Sequence, residues 1–160
     1  MRYSVLGLLA LLFVGCSSSY DALQVENEKV LDYGMANSKK IEIVNSQTSK
    51  TYIIVTYLTP INHELVIKDT EKFIVGSYTA TGEHELEKMT LSNFKVNGKK
   101  EEIKVSPLDK NAEILKIVSS SNPWADYILV ESPLVSDINM TISFENDHSV
   151  MVSAKFRKDY

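Results

Sequence analysis

The chain reads as all-β, an antiparallel β-sandwich, and three observations predict it. From Ile41 onward apolar residues recur with period two, the repeat of a strand that buries one face. The apolar stretches are short, rich in β-branched and aromatic residues, and number about eight or nine, with turn residues between them. Asn97-Gly98 separates two strand-like runs, and both residues accept the positive φ of a type I′ hairpin turn.

The elements follow in order. Residues Tyr20 to Lys40 are polar and ambiguous: Leu23, Val30, Leu31 and Met35 suit one face of a short helix, while Gln24-Val25-Glu26 suits an edge strand. Ile41 to Val44 is strand-like, and Thr51 to Leu58 (TYIIVTYL) has the composition of a central buried strand ended by Thr59-Pro60. Glu64 to Lys68 and Lys72 to Thr79 are two further strands around Asp69-Thr70, and Thr81-Gly82 turns the chain. Leu86 to Val96 reads as extended, with a helix over Glu83 to Leu91 as the competing reading, since HELEKM contains good helix formers. Phe94 falls out of strict alternation, which predicts a bulge beside it.

Lys99 to Val105 is the expected return strand of the hairpin, stopped by Pro107. Ala112 to Val118 and Asp126 to Glu131 are two more strands around a turn-rich loop, Ser119 to Pro123. Ile138, Met140, Ile142 and Phe144 alternate inward with Asn139, Thr141, Ser143 and Glu145 outward. Asn146-Asp147 turns the chain, and Val150, Val152, Ala154 and Phe156 form the last inward face.

The N-terminus carries a different signal. Arg2 precedes an apolar run of ten residues, Val5 to Val14, too short to cross the ~30 Å hydrocarbon core as a helix. Leu12-Phe13-Val14-Gly15-Cys16 resembles a bacterial lipobox, with Phe13 where most carry leucine, and Cys16 is the sole cysteine. The alternative is an ordinary secretory signal with a chance cysteine. The resemblance implies cleavage before Cys16, lipid attached to its thiol, and a mature chain of 145 residues. Each buried CH₂ contributes ~0.8 kcal/mol, so two or three acyl chains (palmitate-type) hold permanently. Ser17-Ser18-Ser19 continues as a polar leash, and a serine after the cysteine resembles the outer-membrane sorting signal of enterobacterial lipoproteins. The expected organisation is a signal peptide over 1–15, a lipidated leash and N-terminal segment over 16–40, and a sandwich domain over 41–160.

Composition narrows the function classes. Net charge is −4, and loss of Arg2 leaves 16 basic against 21 acidic residues. No basic stripe is present, so nucleic acid is a poor partner. With Cys16 acylated the domain has no disulfide and no thiol for chemistry.

Lipobox, short leash and one strand-rich domain together resemble the small immunoglobulin-like lipoproteins of bacterial envelopes. The immunoglobulin Cys–Trp–Cys signature is absent. The resemblance implies an immunoglobulin-like antiparallel β-sandwich.

Candidate chemistry is sparse. His63-Glu64, Glu83-His84-Glu85 and Asp147-His148 put acids beside imidazoles, but neighbours on a strand point to opposite faces, so none is a ready metal clamp or acid–base couple. Met35, Met89, Met140 and Met151 are too scattered for copper. No Gly-x-Ser-x-Gly elbow, Ser-x-x-Lys motif or phosphate-cradling glycine loop is present, so neither a catalytic residue nor a cofactor is expected. Asn139-Met140-Thr141 matches the N-glycosylation acceptor, and Asp137 two residues earlier resembles the extended bacterial sequon.

The expectation is therefore a non-enzymatic binding or assembly module, lipid-anchored at the outer membrane and engaging an envelope protein. The loops to test are Ser119 to Ala125, with Asn122 and Trp124 as partner-binding candidates, and Thr59 to Glu64. The alternative is a small-ligand carrier with its pocket between the sheets or under the Trp124 loop.

Overall fold

The computed structural model describes residues 32–82, 89–118 and 121–158. The expected signal peptide and leash, Cys16, the Glu83-His84-Glu85 cluster and most of the alternative helix lie outside the described residues. Residues 32–36 are helical and lead directly into the first strand.

Eight strands follow among the described residues: β1 (Ser38–Val44), β2 (Ser49–Tyr57), β3 (Glu71–Thr81), β4 (Ser92–Val96), β5 (Lys104–Leu108), β6 (Asp126–Ser132), β7 (Asn139–Glu145) and β8 (Met151–Arg157). They form two antiparallel sheets, ordered β1-β2-β3-β6-β5 and β4-β7-β8. Strands β2 to β8 reproduce the four-plus-three strand order of an immunoglobulin constant-type domain, and β1 is an added edge strand. The predicted immunoglobulin-like sandwich is thus the observed architecture.

Alternation explains the core. Ile53, Val55 and Tyr57 of β2, Phe73 and Val75 of β3 and Val130 of β6 face Phe94 and Val96 of β4, Met140, Ile142 and Phe144 of β7, and Val152, Ala154 and Phe156 of β8. Tyr57 stacks on Phe73 at 4.7 Å between ring centroids, with Phe156 tilted against both. β3 lies at the centre of the large sheet and is buried on both faces. Its outer face needs a cover, because Ile74 would otherwise meet water. The segment after β2 (Leu58, Ile61, Val66) and the one after β5 (Leu115, Ile117, Val118) supply it, forming a second core with Ala125 and Tyr127.

That second core overturns several sequence expectations. Glu64 to Lys68 is a loop, not a strand; Val66 packs inward, while Ile67 is exposed. Ala112 to Val118 is not a strand but contains a 3₁₀ turn, Glu113–Ile117, which buries Leu115 and Ile117 together. Spacing of two reads as a strand in sequence, and one 3₁₀ turn meets it locally.

The hairpin is correct at its turn and different beyond it. Asn97 (φ 48) and Gly98 (φ 79) turn the chain, and Val96 and Lys99 exchange both backbone hydrogen bonds, at 2.9 and 3.0 Å. Pairing stops at that single bridge. The chain then crosses to the large sheet, where β5 pairs with β6. Pro107 does not stop this strand; it sits inside β5, tolerated because β5 is an edge. The bulge predicted near Phe94 is present: register shifts between Ser92 and Lys95, Asn93 takes φ 53, and Phe94 turns inward. Ile138 and Val150, expected inward, precede their strands and are exposed.

Candidate partner-binding loop

The loop before β6 is built from the strand upward. Gly76 on β3 lies directly opposite Tyr127 on β6, and the Tyr127 ring covers the space where a side chain would be. A Cβ on Gly76 would stand 2.5 Å from Tyr127 Cε1. The ring so placed is buried, and its hydroxyl reaches back to the loop. The Asn122 N–H donates to the Tyr127 hydroxyl at 2.5 Å, and that hydroxyl donates to the Asn122 carbonyl at 3.3 Å.

Asn122 in turn shapes the tip. Its Oδ1 accepts the Trp124 N–H at 2.9 Å, and its carbonyl accepts the Ala125 N–H at 3.0 Å. From the other side of the loop, Lys110 Nζ donates to the Pro123 carbonyl at 2.8 Å. Ala125 is buried in the second core. The tip is therefore held on both flanks, and Trp124 stands out from it 64% exposed.

Trp124 and Asn122 thus have different roles from each other. Trp124 is at the loop edge, as Pro123 beside it suggests, and does not pack over the end of the sandwich. Asn122 is half-buried, and its side-chain oxygen serves the loop itself. The Thr59 to Glu64 loop lies elsewhere: Leu58 N–H bonds the Lys72 carbonyl at the start of β3, whereas β6 begins opposite Ser77. Five residue steps of strand separate those points, roughly 17 Å. Ile61 in that loop is fully buried.

Asn139 is exposed at the first position of β7. Its carbonyl accepts from Asn97 Nδ2 at 3.3 Å, and Asn97 Oδ1 accepts the Thr141 N–H at 2.7 Å, so the sequon borders the hairpin turn. His63 uses Nδ1 to accept the Leu65 N–H at 3.1 Å, and His148 sits in the exposed β7–β8 turn. Among the described residues no three histidines, cysteines or carboxylates come together to hold a metal.

One polar cluster escaped the sequence reading. Glu71 is fully buried, and its carboxylate accepts from Lys158 Nζ, from the Tyr57 hydroxyl at 2.6 Å and from the Val135 N–H at 3.0 Å. Lys158 Nζ also donates to the Val135 carbonyl. Burial pushes the Glu71 carboxyl up, but the bonds from Lys158, Tyr57 and Val135 outweigh it and hold the group below its ordinary value. Both Glu71 oxygens have partners and the residue is fully buried, so the cluster ties the end of β8 and the Val135 segment to the core. Parity was the available signal: Glu71 shares a face with Phe73 and Val75, and Lys158 with Phe156.

A cavity of about 280 Å³ opens between the large sheet and the segment leading into β4, lined by Val75, Met89, Leu91, Val105 and Ile128 among others. No protein-family model, curated protein or solved structure matches the chain.

Proposed function

We propose that the protein is a lipid-anchored, non-enzymatic binding or assembly module of the bacterial cell envelope, held at the outer membrane through Cys16 and engaging an envelope protein through the Trp124 loop. The observation that carries this reading is the exposure of Trp124 on a tip already fixed by Tyr127, Asn122 and Lys110. A tryptophan buries much area on binding and loses few rotors, and a fixed loop has little left to order. The loop also lies at the far end from the chain's approach. Asn37, just before β1, accepts the Tyr57 N–H at the end of β2, beside the start of β3. A tether entering there leaves the Trp124 end clear.

The test is capture of partners by the full chain from intact envelope, with Trp124→Ala alongside and thermal melts on both. The expected result is loss of at least ~2 kcal/mol of binding, about 30-fold. The melt should move little, because exposed substitutions cost about 0.5 kcal/mol or less. Equal capture by both proteins refutes the reading. Cys16→Ala should abolish labelling by an alkyne fatty acid and release the protein; an unlabelled wild type removes the anchor.

The cavity beside the large sheet supports a second reading, a carrier of small apolar ligands. Its volume lies just below the range of about 300–1,000 Å³ usual for ligand sites. Mass spectrometry of the membrane-extracted protein decides it: a stoichiometric co-purifying molecule favours the carrier, and none favours the module.

A further inference from the structure

Four strands edge the two sheets: β1 and β5 in the large one, β4 and β8 in the small one. An unpaired edge is a template for another strand, and proteins normally spoil it. β5 contains Pro107, which has no N–H to offer. β4 is five residues long and broken by the bulge at Asn93. β8 carries Lys155 and Arg157 and no acid, so pairing it with itself would gather four cations. β1 differs from all three. Its seven residues pair with β2 in unbroken register, without proline or bulge, and it carries both signs of charge. Among the described residues nothing pairs with its other edge.

We propose that the free edge of β1 pairs antiparallel with β1 of a second copy, about a two-fold axis through Ile41. Charge selects this register. With Ile41 opposite Ile41, all seven residues pair, and Lys40 faces Glu42 of the second copy on both sides of the axis. Sliding the strands by two residues sets Lys40 against Lys40 one way and Glu42 against Glu42 the other. Sliding by one sets the inward face of one strand beside the outward face of its neighbour. Opposite charges directly across a pair stabilise it, and like charges destabilise it. The two side chains are already held on the outer face: Lys40 Nζ sits 4.8 Å from the centre of the Tyr52 ring, and Glu42 accepts from Lys50 at 2.7 Å.

The inner face agrees. Ile41 and Ile43 are only half-buried, packed against the core from the edge strand of the large sheet. The second copy covers their open flank with its own Ile41 and with the aliphatic stem of Lys39, which falls opposite Ile43. The product is a continuous ten-stranded sheet with both small sheets on one side. Its axis is perpendicular to the sheet. Two leashes leaving opposite ends of the pair therefore reach one membrane when the axis stands along the membrane normal.

The test uses the full chain in an oxidising envelope. In Ile41→Cys the new thiols sit across the axis, with Cα atoms about 4.5–5.5 Å apart, within disulfide range. In Lys39→Cys the two copies of residue 39 are four residues apart along the strands, about 13 Å, beyond it. A disulfide-linked dimer for Ile41→Cys and none for Lys39→Cys is expected on non-reducing gels. Glu42→Lys added to Ile41→Cys should cut the linked fraction at least tenfold, and Lys40→Glu added to that should restore it. No linked dimer for Ile41→Cys, equal linking from Lys39→Cys, or indifference to Glu42→Lys overturns the proposal.

Discussion

Gly76→Ala is the sharpest test of how the sheet supports the Trp124 loop. The added methyl would lie 2.5 Å from Tyr127 Cε1 and 2.9 Å from Cδ1, where contact normally begins near 3.4 Å. Neither atom is the loose end of a flexible chain. The ring belongs to a strand residue 6% exposed, and its hydroxyl is bonded to Asn122. The ring must therefore swing or the strands must part. Overpacking of this kind costs about 1–3 kcal/mol. Pulling the hydroxyl from the Asn122 backbone adds about 1 kcal/mol for the lost hydrogen bond. Replacing glycine inside a strand returns roughly 0.5–1 kcal/mol of backbone entropy. The net expectation is a loss of about 1–3 kcal/mol, read as a lower urea midpoint at unchanged slope.

A second readout separates this from generic core damage. Trp124 is the only tryptophan, so its fluorescence reports the loop alone. Displacing Tyr127 frees Asn122, and the emission of Gly76→Ala should become more accessible to acrylamide while the protein is still folded. With Tyr127→Leu in the background, the cost of Gly76→Ala should shrink, because the contact that causes it is gone. An unchanged midpoint, or an equal cost in both backgrounds, refutes the packing account.

Three further predictions concern the rest of the fold. Lys158→Met should cost about 3–5 kcal/mol, since it leaves the buried Glu71 carboxylate without its cation, whereas Glu71→Met with Lys158→Met should recover most of that loss; equal melts for the single and double variants would refute this. The Glu71 carboxyl is held below its ordinary value, so its contribution is present above the unfolded pKa and is lost as pH falls through the lowered folded one; the acid-side decline in wild-type stability should flatten in the double variant. Gly98→Val should cost roughly 1–3 kcal/mol, because Gly98 holds φ 79 in the hairpin turn and a β-branched residue is strained there; an unchanged denaturation midpoint would count against it.

The sequence by itself determined the class of fold and most of its strands. Period two survives in the burial of β7 and β8, residue by residue, because each has one face on the core and one in water. Asn97-Gly98 announced its turn, since few other residue pairs take positive φ twice. The loop character of residues 121–123, the described part of the turn-rich stretch, was legible for the same local reasons. Tertiary structure decided the rest. Whether Lys99 to Val105 returns beside β4 or crosses to β6 depends on which edge has room, and nothing within those residues records that. Leu115 and Ile117 are apolar in the same spacing as a strand, and only the uncovered outer face of β3 made them a 3₁₀ lid. A tryptophan by type suits a core, while Pro123 beside Trp124 points to a loop edge. Trp124 became surface because Tyr127, seated over Gly76 across the sheet, holds the loop by its backbone and leaves the indole facing solvent.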